Sequence, residues 1–318
     1  SGGSTASAVA ATPAGATTAS LLARRSRTPR ALAYGRILEE LQQARASGSV
    51  EPMELLAKLG AATLVAEGAA PDAPAYQLAS LDSSTVKLAS CWKLLGAMAS
   101  AASPLLRPRR DGGALPADLA LYRSHSLPLR RALLRGALSH LGALQAEEIR
   151  RNVAAHPEEA FRGGAPGLEY EAAAALRVAR RAATAPAAVE SLGVKTVTLA
   201  HGGAEEPLWP LMHLCVRCCD FAAAVRVADA ASLAQTPKLL ALLRLVAAEF
   251  GAGAPLVMAP ADALPDAVRA AQAEFWTFAA SAEPELRLLY SVLAAPDPSV
   301  PLSEFVPGSS PTVEDWLW

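Results

Sequence analysis

Apolar side chains recur at intervals of three and four residues along most of this chain, which is the spacing of helices that bury one face. The spacing predicts a first helix beginning near Pro29, a second opened by Pro52, and a third with Asp82 or Ser83 as its N-cap. The apolar positions that define the first and third are Ile37, Leu38, Leu41, Val86, Leu88, Trp92 and Leu95.

The same periodicity continues through the rest of the chain. It predicts a long helix from Leu129 to about His156 and another from about Leu168. One face of the long helix is expected to carry Leu133, Ala137, Leu141 and Leu144. Further helices are predicted within residues 208–230, 237–250, 265–282 and 284–295.

Extended structure is indicated at one place only, the run VKTVTL at residues 194–199. The 24 prolines fall mostly between the predicted helices, where proline is tolerated. We therefore predict an all-α fold, an irregular α-helical solenoid of antiparallel helix pairs that occupies residues 30–318.

Residues 1–29 differ from this pattern. No acidic residue occurs from Ser1 to Leu38, whereas Ser, Thr, Ala and Arg are frequent. That composition is typical of an organellar transit peptide and also of a low-complexity linker. Because the chain begins with Ser1 rather than Met, we interpret residues 1–29 as a disordered low-complexity linker.

Composition and charge narrow the functional classes. The 29 basic and 30 acidic residues give a net charge of −1, so no global field attracts a polyanion and direct nucleic-acid binding is not expected. The sequence has no apolar run of transmembrane length. Its four cysteines are too few for a disulfide framework, which favours a reducing compartment.

Three of the four cysteines lie in PLWPLMHLCVRCCDFAAAVRVADAA, residues 207–231. Placed on a helix, residues 208–220 form one polar stripe that includes His213, and two apolar stripes. The apolar stripes are Trp209, Met212, Val216 and Cys219, and Leu208, Leu211, Cys215 and Cys218. We therefore expect all three cysteines on the buried side and His213 facing nearly away from Cys215.

A metal or redox role for these cysteines fits the pattern poorly. A structural zinc site needs four converging ligands, usually as two short pairs, and the remaining cysteine, Cys91, is distant in the sequence. A redox CxxC is expected at a helix N-terminus, where the dipole lowers the thiol pKa, whereas Cys215 and Cys218 come at the C-terminal end. We expect core cysteines, with no metal and no cofactor.

Asp220 is instead predicted to cap a helix that starts at Phe221. The alanines that follow are small enough to let this second helix lie close to the first. The segment is therefore predicted to be a tight corner between two helices. We call it the helix-pair junction and define it by Trp209, Cys215, Cys218, Cys219, Asp220 and Phe221.

Other candidate sites are weaker. GGAPG at residues 163–167 lacks the Lys-Ser/Thr and the preceding strand of a phosphate-binding loop, so a helix-linking loop is expected. Arg107, Arg109 and Arg110 form a basic cluster that either is solvated or contacts an acidic partner or lipid headgroups. The sequence contains no GxSxG or HExxH motif, and we predict no catalytic residue and no enzyme.

Four segments, in order, resemble one family. PLWPLMHLCVRCCDFAAA resembles the signature helix pair of the nucleoporin interacting component family, in which an apolar-Trp helix ends in Cys-x-Arg-Cys-Gly-Asp. RRALLRGALSHLGALQAEEI with GGAPG is similar to that family's long helix and the loop after it. ALAYGRILEELQQAR resembles its first solenoid helix, and VEDWLW (313–318) resembles the Thr-Glu-Asp-aromatic-Leu-Trp run that follows a short linker in that family. One departure is Cys219, which stands where the family has glycine.

The resemblance implies a non-enzymatic scaffold of the nuclear pore complex inner ring, located at the nuclear envelope of the nucleus. It implies partners among other nucleoporins: the large inner-ring scaffolds, the channel nucleoporins and the membrane-proximal adaptor nucleoporin. The segments through which the family recruits the first two are not recognisable in this sequence. Because a final helix capped by Ser310 or Thr312 would have barely one turn, we also expect the native protein to continue beyond residue 318.

A second interpretation remains open at this point. The acid-free residues before Glu39 are also consistent with an organellar helical-repeat protein that binds RNA or protein. An RNA-binding repeat is expected to carry a basic concave face, which the near-neutral net charge disfavours. An enzyme on a helical fold would need a polar cleft that the sequence does not indicate.

Overall fold

The computed structural model describes residues 28–46, 52–70, 81, 83–106, 127–159, 167–182, 195–200, 204–231, 233, 236–250 and 263–296. In this part of the chain α-helices predominate, and the only strands are two short ones. The all-α prediction is therefore confirmed at the level of fold class. The chain divides into two compact units, Ser1–Ala137 and Leu138–Trp318.

The first unit contains α1 (Pro29–Ala46), α2 (Pro52–Val65) and α3 (Ser83–Leu106), and the start of α4 (Leu127–Ala154). Helices α1 and α2 begin at Pro29 and Pro52, as predicted. Proline is common in the first turn of a helix, because the N–H that it lacks would have no partner there. Helices α1 and α2 contact each other, and so do α2 and α3. Helix α3 includes Leu105 and Leu106 at its C-terminal end.

A small apolar core and a set of polar ties hold the first unit together. Leu64 and Ala89 are its buried apolar centre. The Tyr34 hydroxyl lies 2.5 Å from Thr63 Oγ1 and accepts a hydrogen bond from Trp92 Nε1 at 3.1 Å, which links α1, α2 and α3. The two rings pack edge to face with centroids 6.2 Å apart, as aromatic pairs prefer.

The second unit contains most of the described core. After α4 come α5 (Leu168–Ala182), β1 (Thr196–Thr198), β2 (Glu205–Pro207), α6 (Leu208–Arg217), α7 (Phe221–Ala230), α8 (Pro237–Phe250), α9 (Ala263–Trp276), a 3-10 turn (Ala279–Ser281) and α10 (Pro284–Ala294). The strands pair antiparallel, with Val197 opposite Glu206. Strand β1 falls inside the predicted extended run, whereas β2 was not predicted.

Successive helices of the second unit pack on one another. Helix α5 contacts α6, and the contacts continue in order through α7, α8, α9 and α10. Helix α10 also contacts α6, so along this stretch the helices do not form a strictly one-dimensional stack. The solenoid arrangement remains a prediction.

Two predicted apolar faces differ from the structure. Leu95 of α3 is exposed, and Thr85, Ala89 and Ala102 take the buried positions of that helix. Leu144 of α4 is also exposed, while the buried residues of its C-terminal half are Leu141, Gly142, Ala146, Ile149 and Val153. Size alone does not decide burial in these helices, because small residues such as Ala89 and Gly142 are buried whereas Leu95 and Leu144 are exposed.

Several sequence predictions concern residues outside the described part: residues 1–27 of the linker predicted over 1–29, the basic cluster 107–110, positions 163–166 of GGAPG, and VEDWLW. Pro29, the last residue of the predicted linker, is the first residue of α1. Within the helices that are described, none is both long and apolar enough to cross a membrane.

Candidate functional site

Four of the six residues that define the helix-pair junction are buried: Trp209, Cys215, Cys218 and Phe221. Trp209 is 1% exposed, and its indole Nε1 donates a hydrogen bond to Glu283 Oε1 at 3.1 Å, so the polar edge of the ring is satisfied. Leu208, Leu211, Met212, Cys215 and Val216 are buried beside it. Both predicted apolar stripes of α6 are therefore in the core over residues 208–216.

The turn between α6 and α7 differs from the prediction that the helix continues to residue 220. Helix α6 ends at Arg217, Cys218 is the C-cap, and Cys219 has a left-handed φ of 57°. The Asp220 N–H donates to the Cys215 carbonyl at 3.1 Å, and the Cys219 N–H donates to the Val216 carbonyl at 2.8 Å. These two bonds form a Schellman motif, in which the left-handed position after the C-cap is usually glycine.

The predicted cap at Asp220 is present. Its Oδ1 accepts a hydrogen bond from the Ala223 N–H at 2.8 Å, which satisfies one of the donors that a helix start leaves unpaired. Asp220 therefore both closes the Schellman motif of α6 and caps α7. Because one residue serves both helices, the corner is short, and it presents Phe221 to the interior at the first position of α7.

The thiols of the junction are in an environment that keeps them protonated. Cys215 and Cys218 are buried, and burial raises the pKa of Cys215 well above its usual range and that of Cys218 to about 12. Cys219 is half-buried rather than buried as predicted, and its Sγ donates to the Leu138 carbonyl at 3.2 Å. Nucleophilic and metal-binding chemistry needs thiolates, which this environment disfavours.

His213 lies on the polar stripe of α6 but is only partly exposed. Burial and the neighbouring positive charge of Arg217 lower its pKa to about 4, so the ring is neutral at physiological pH. Among the residues that the structure describes, no group of three or more His, Cys, Asp and Glu side chains is arranged to hold a metal ion.

Helix α4 reaches the junction through Gly142. A Cβ at this position would lie 2.6 Å from the Cys218 carbonyl oxygen and 2.9 Å from Cys219 Sγ, closer than real contacts allow. Only glycine fits without movement of the corner, because the nearest atom belongs to the backbone. The sequence alone did not mark Gly142 as special, since it lies inside a long helical pattern.

Two further contacts fix the direction in which α7 leaves the corner. The Phe221 ring packs against Phe250 of α8, with centroids 6.1 Å apart. Arg226 donates to both carboxylate oxygens of Glu169 in α5, at 2.7 and 2.8 Å. Burial of Glu169 opposes its ionisation, but the hydrogen bonds from Arg226 and from the backbone hold its pKa below the usual value.

A cluster of buried charges in the same unit was missed by the sequence analysis. Glu159 is 0% exposed and Glu206 is 2% exposed, and the Arg177 guanidinium lies between them. Arg180 and Arg181 are in the following turn of the same helix. We call these five residues the ionic cluster. The sequence carries one sign of this cluster, the spacing of its three arginines. Spacings of three and four residues place them on one side of α5, while the alanines of that helix face the core.

The start of α8 is held by another side chain that the sequence analysis did not identify. Glu274 of α9 accepts hydrogen bonds from the Lys238 and Leu239 N–H groups at 3.0 and 2.9 Å. The Tyr290 hydroxyl of α10 donates to Glu274 at 2.6 Å, and burial together with this bond raises the Tyr290 pKa. A carboxylate at a helix N-terminus also complements the helix dipole.

Taken together, the described contacts of the second unit fix helices against one another. Comparisons with known proteins find no protein-family model that matches the chain and no curated protein with a matching sequence. The described residues form an all-α protein in which two helices meet at a tightly packed corner, residues 208–230.

Proposed function

We propose that this chain is a structural scaffold subunit of the nuclear pore complex inner ring. In this proposal it is part of a longer α-helical solenoid that bridges other nucleoporins and supports nucleocytoplasmic transport without enzymatic activity. Its partners are the large inner-ring scaffolds, the channel nucleoporins and the membrane-proximal adaptor nucleoporin. The proposal has its origin in the four ordered sequence segments that resemble the nucleoporin interacting component family.

The observation that carries the proposal is the backbone at residue 219. The family pattern has glycine between its second cysteine and its aspartate, and Cys219 stands at that place in this chain. Cys219 has φ of 57°, the conformation for which glycine is preferred. Asp220 caps the next helix, which is a physical reason for an aspartate at the end of the same pattern. The departure from the family is thus a side-chain change at a position where the backbone favours glycine.

Burial at the junction also supports a packing role for this segment. The aromatic and sulfur-containing side chains that make the segment distinctive fill the core. In a scaffold, such a corner sets the angle between consecutive helices and so the position of more distant surfaces. A segment with this role is expected to keep its buried residues while its exposed residues vary.

The alternative is an organellar helical-repeat protein that binds RNA or protein. It is favoured by one observation, the acid-free and Arg-containing stretch before Glu39. The two proposals differ in where the full-length protein is found, so one experiment distinguishes them.

The test is the location of the full-length protein, tagged at its own locus, together with its partners from a gentle pull-down. A scaffold of the inner ring gives a punctate nuclear rim and recovers other nucleoporins. Signal inside an organelle, or a rim signal without any nucleoporin in the pull-down, would reject the proposal. A matched variant, Cys219→Gly, restores the residue of the family pattern and should leave both readouts unchanged.

A further inference from the structure

The ionic cluster joins three separate segments of the second unit through one side chain. Arg177 of α5 donates from Nε to Glu159 Oε2 at 2.8 Å and from Nη2 to the Glu159 carbonyl oxygen at 3.2 Å. Its Nη1 donates to Glu206 Oε1 in β2. All three nitrogens of the guanidinium are therefore engaged, two of them by the segment 156–159, which we call the strap, and one by the β1–β2 pair.

The two carboxylates and Arg177 are poorly screened by water, whereas the side chains of Arg180 and Arg181 are 35% and 52% exposed. Glu159 is fully buried, Glu206 is nearly so, and the Arg177 side chain is 12% exposed. Arg181 Nη1 lies 2.5 Å from Glu159 Oε1, whereas Arg180 Nη1 is 3.9 Å from Glu206 Oε2. Interactions between charges strengthen in such surroundings, and a buried charge that loses its partner is strongly destabilising.

Neither of the two segments that Arg177 holds is extensive by itself. Each strand of the β1–β2 pair has three residues, and isolated two-stranded ribbons are at best marginally stable. The strap is a short helical turn, in which the Glu159 N–H donates to the His156 carbonyl at 3.0 Å. Docking of each segment on α5 therefore depends substantially on its carboxylate.

We propose that Arg177 is a latch that couples the docking of the strap with the docking of the β1–β2 pair. With both segments docked, two carboxylates face three arginines. If one segment leaves, its carboxylate leaves with it, and the Arg177 guanidinium loses the hydrogen bonds that held it on that side. The side chain regains rotamer freedom, and the remaining segment is held less well because it alone must then keep Arg177 in place.

The coupling has a consequence for the junction. Strand β2 ends at Pro207 and α6 begins at the next residue, so the position of β2 fixes the first turn of α6. The Leu208 N–H donates to the Lys195 carbonyl at 2.9 Å, which extends the strand pairing to the start of this helix. When the strap leaves α5 and the β1–β2 pair is held less well as a result, the first turn of α6, which carries Trp209, is held less well too.

Hydrogen exchange measured by mass spectrometry on the whole chain tests the latch. Glu206→Gln removes the charge from the strand side only, and the amides of His156, Glu158 and Glu159 should nevertheless exchange about tenfold faster, together with those of residues 196–200 and 204–206. Glu159→Gln should give the reciprocal result. Peptides from α8 report whether the unit is still folded and should be unchanged.

Two more variants sharpen the result. Arg177→Lys keeps the charge but has a single nitrogen that cannot reach both segments, so both should exchange faster. Glu171→Gln, which removes a more exposed pair with Arg150, is the control and should change neither segment. If α8 also loses protection in Glu206→Gln, then Glu206→Asp, which keeps the charge on a shorter side chain, makes the same comparison.

The latch is wrong if the two segments respond independently. In that case Glu206→Gln accelerates exchange in residues 196–200 and 204–206 and leaves the strap as in the parent protein. It is equally wrong if Arg177→Lys changes neither segment.

Discussion

The junction and the ionic cluster are two buried regions of the same unit, held together by different physics. The junction is filled by aromatic, sulfur-containing and small apolar side chains, with Trp209 as the largest of them. The ionic cluster buries two carboxylates against arginines of α5. Apolar burial stabilises in proportion to the area buried and depends on close packing, whereas buried charges depend on each partner being in place. The stability of the junction therefore depends on how closely its side chains fit together, and that of the ionic cluster depends on each charge having its partner.

The largest effect expected at the junction comes from its tryptophan. Trp209→Ala should lower the free energy of unfolding by about 3–5 kcal/mol, because it leaves a large cavity and an unpaired Glu283. Trp276→Ala is the matched control, since that ring is 58% exposed, and it should cost less than about 1 kcal/mol. Urea denaturation of both variants measures the difference. Equal effects would contradict the assignment of Trp209 to the core.

The close packing of α4 on the junction is tested next, at Gly142. Gly142→Ala should destabilise by about 1–3 kcal/mol, because the new methyl group meets the Cys218 carbonyl. Gly96→Ala is the control in a helix where a Cβ meets nothing within 4 Å, and it should stabilise by about 0.5–1 kcal/mol. Opposite signs in thermal unfolding support the close approach of α4. A stabilising Gly142→Ala would contradict it.

His213, whose pKa is strongly lowered, gives a pH-dependent test of burial on α6. Because the folded-state pKa of His213 is about 4, below its usual 6.5, the neutral ring contributes fully above pH 6.5 and this contribution is lost as pH falls toward 4. The free energy of unfolding should therefore be about 1–2 kcal/mol lower at pH 5 than at pH 7. His213→Gln should remove most of that difference. An unchanged pH dependence in the variant would show that other groups cause it.

The smallest effect concerns the cap. Asp220→Ala should cost about 1 kcal/mol, because the Ala223 N–H loses its acceptor. Asp220→Asn keeps an acceptor and should recover most of the loss. Denaturation midpoints of the two variants measure this directly, and equal losses would mean that charge rather than capping is responsible.

The two regions also differ in how far the sequence predicts them. Trp209, Cys215, Asp220 and Phe221 could be placed because helical spacing and N-cap preference are local properties. The end of α6 at Arg217 was missed, since cysteine at position 219 hides the left-handed residue that glycine would have marked. In the ionic cluster, spacing indicates only that the three arginines share one side of α5. Their partners could not be found, because Glu159 and Glu206 are far apart in sequence and charged residues are usually exposed.

The same reasoning explains the errors in α3 and α4. Leu95 and Leu144 were predicted to be buried because they are large and apolar, yet both are exposed. Buried positions in the same helices are taken in part by small residues, such as Ala89 and Gly142. Periodicity gives the existence and type of a helix, but the partner decides which face is covered.

Whether the junction is a packed core is tested most directly by the burial and protonation of its cysteines. Thiol labelling of the native protein, combined with zinc analysis, tests it at once. Cys91 is exposed and should react quickly, whereas Cys215 and Cys218, buried and protonated, should react only when the protein unfolds, with no zinc bound. Stoichiometric zinc, or labelling of Cys215 and Cys218 at the rate of Cys91, would contradict the packed junction.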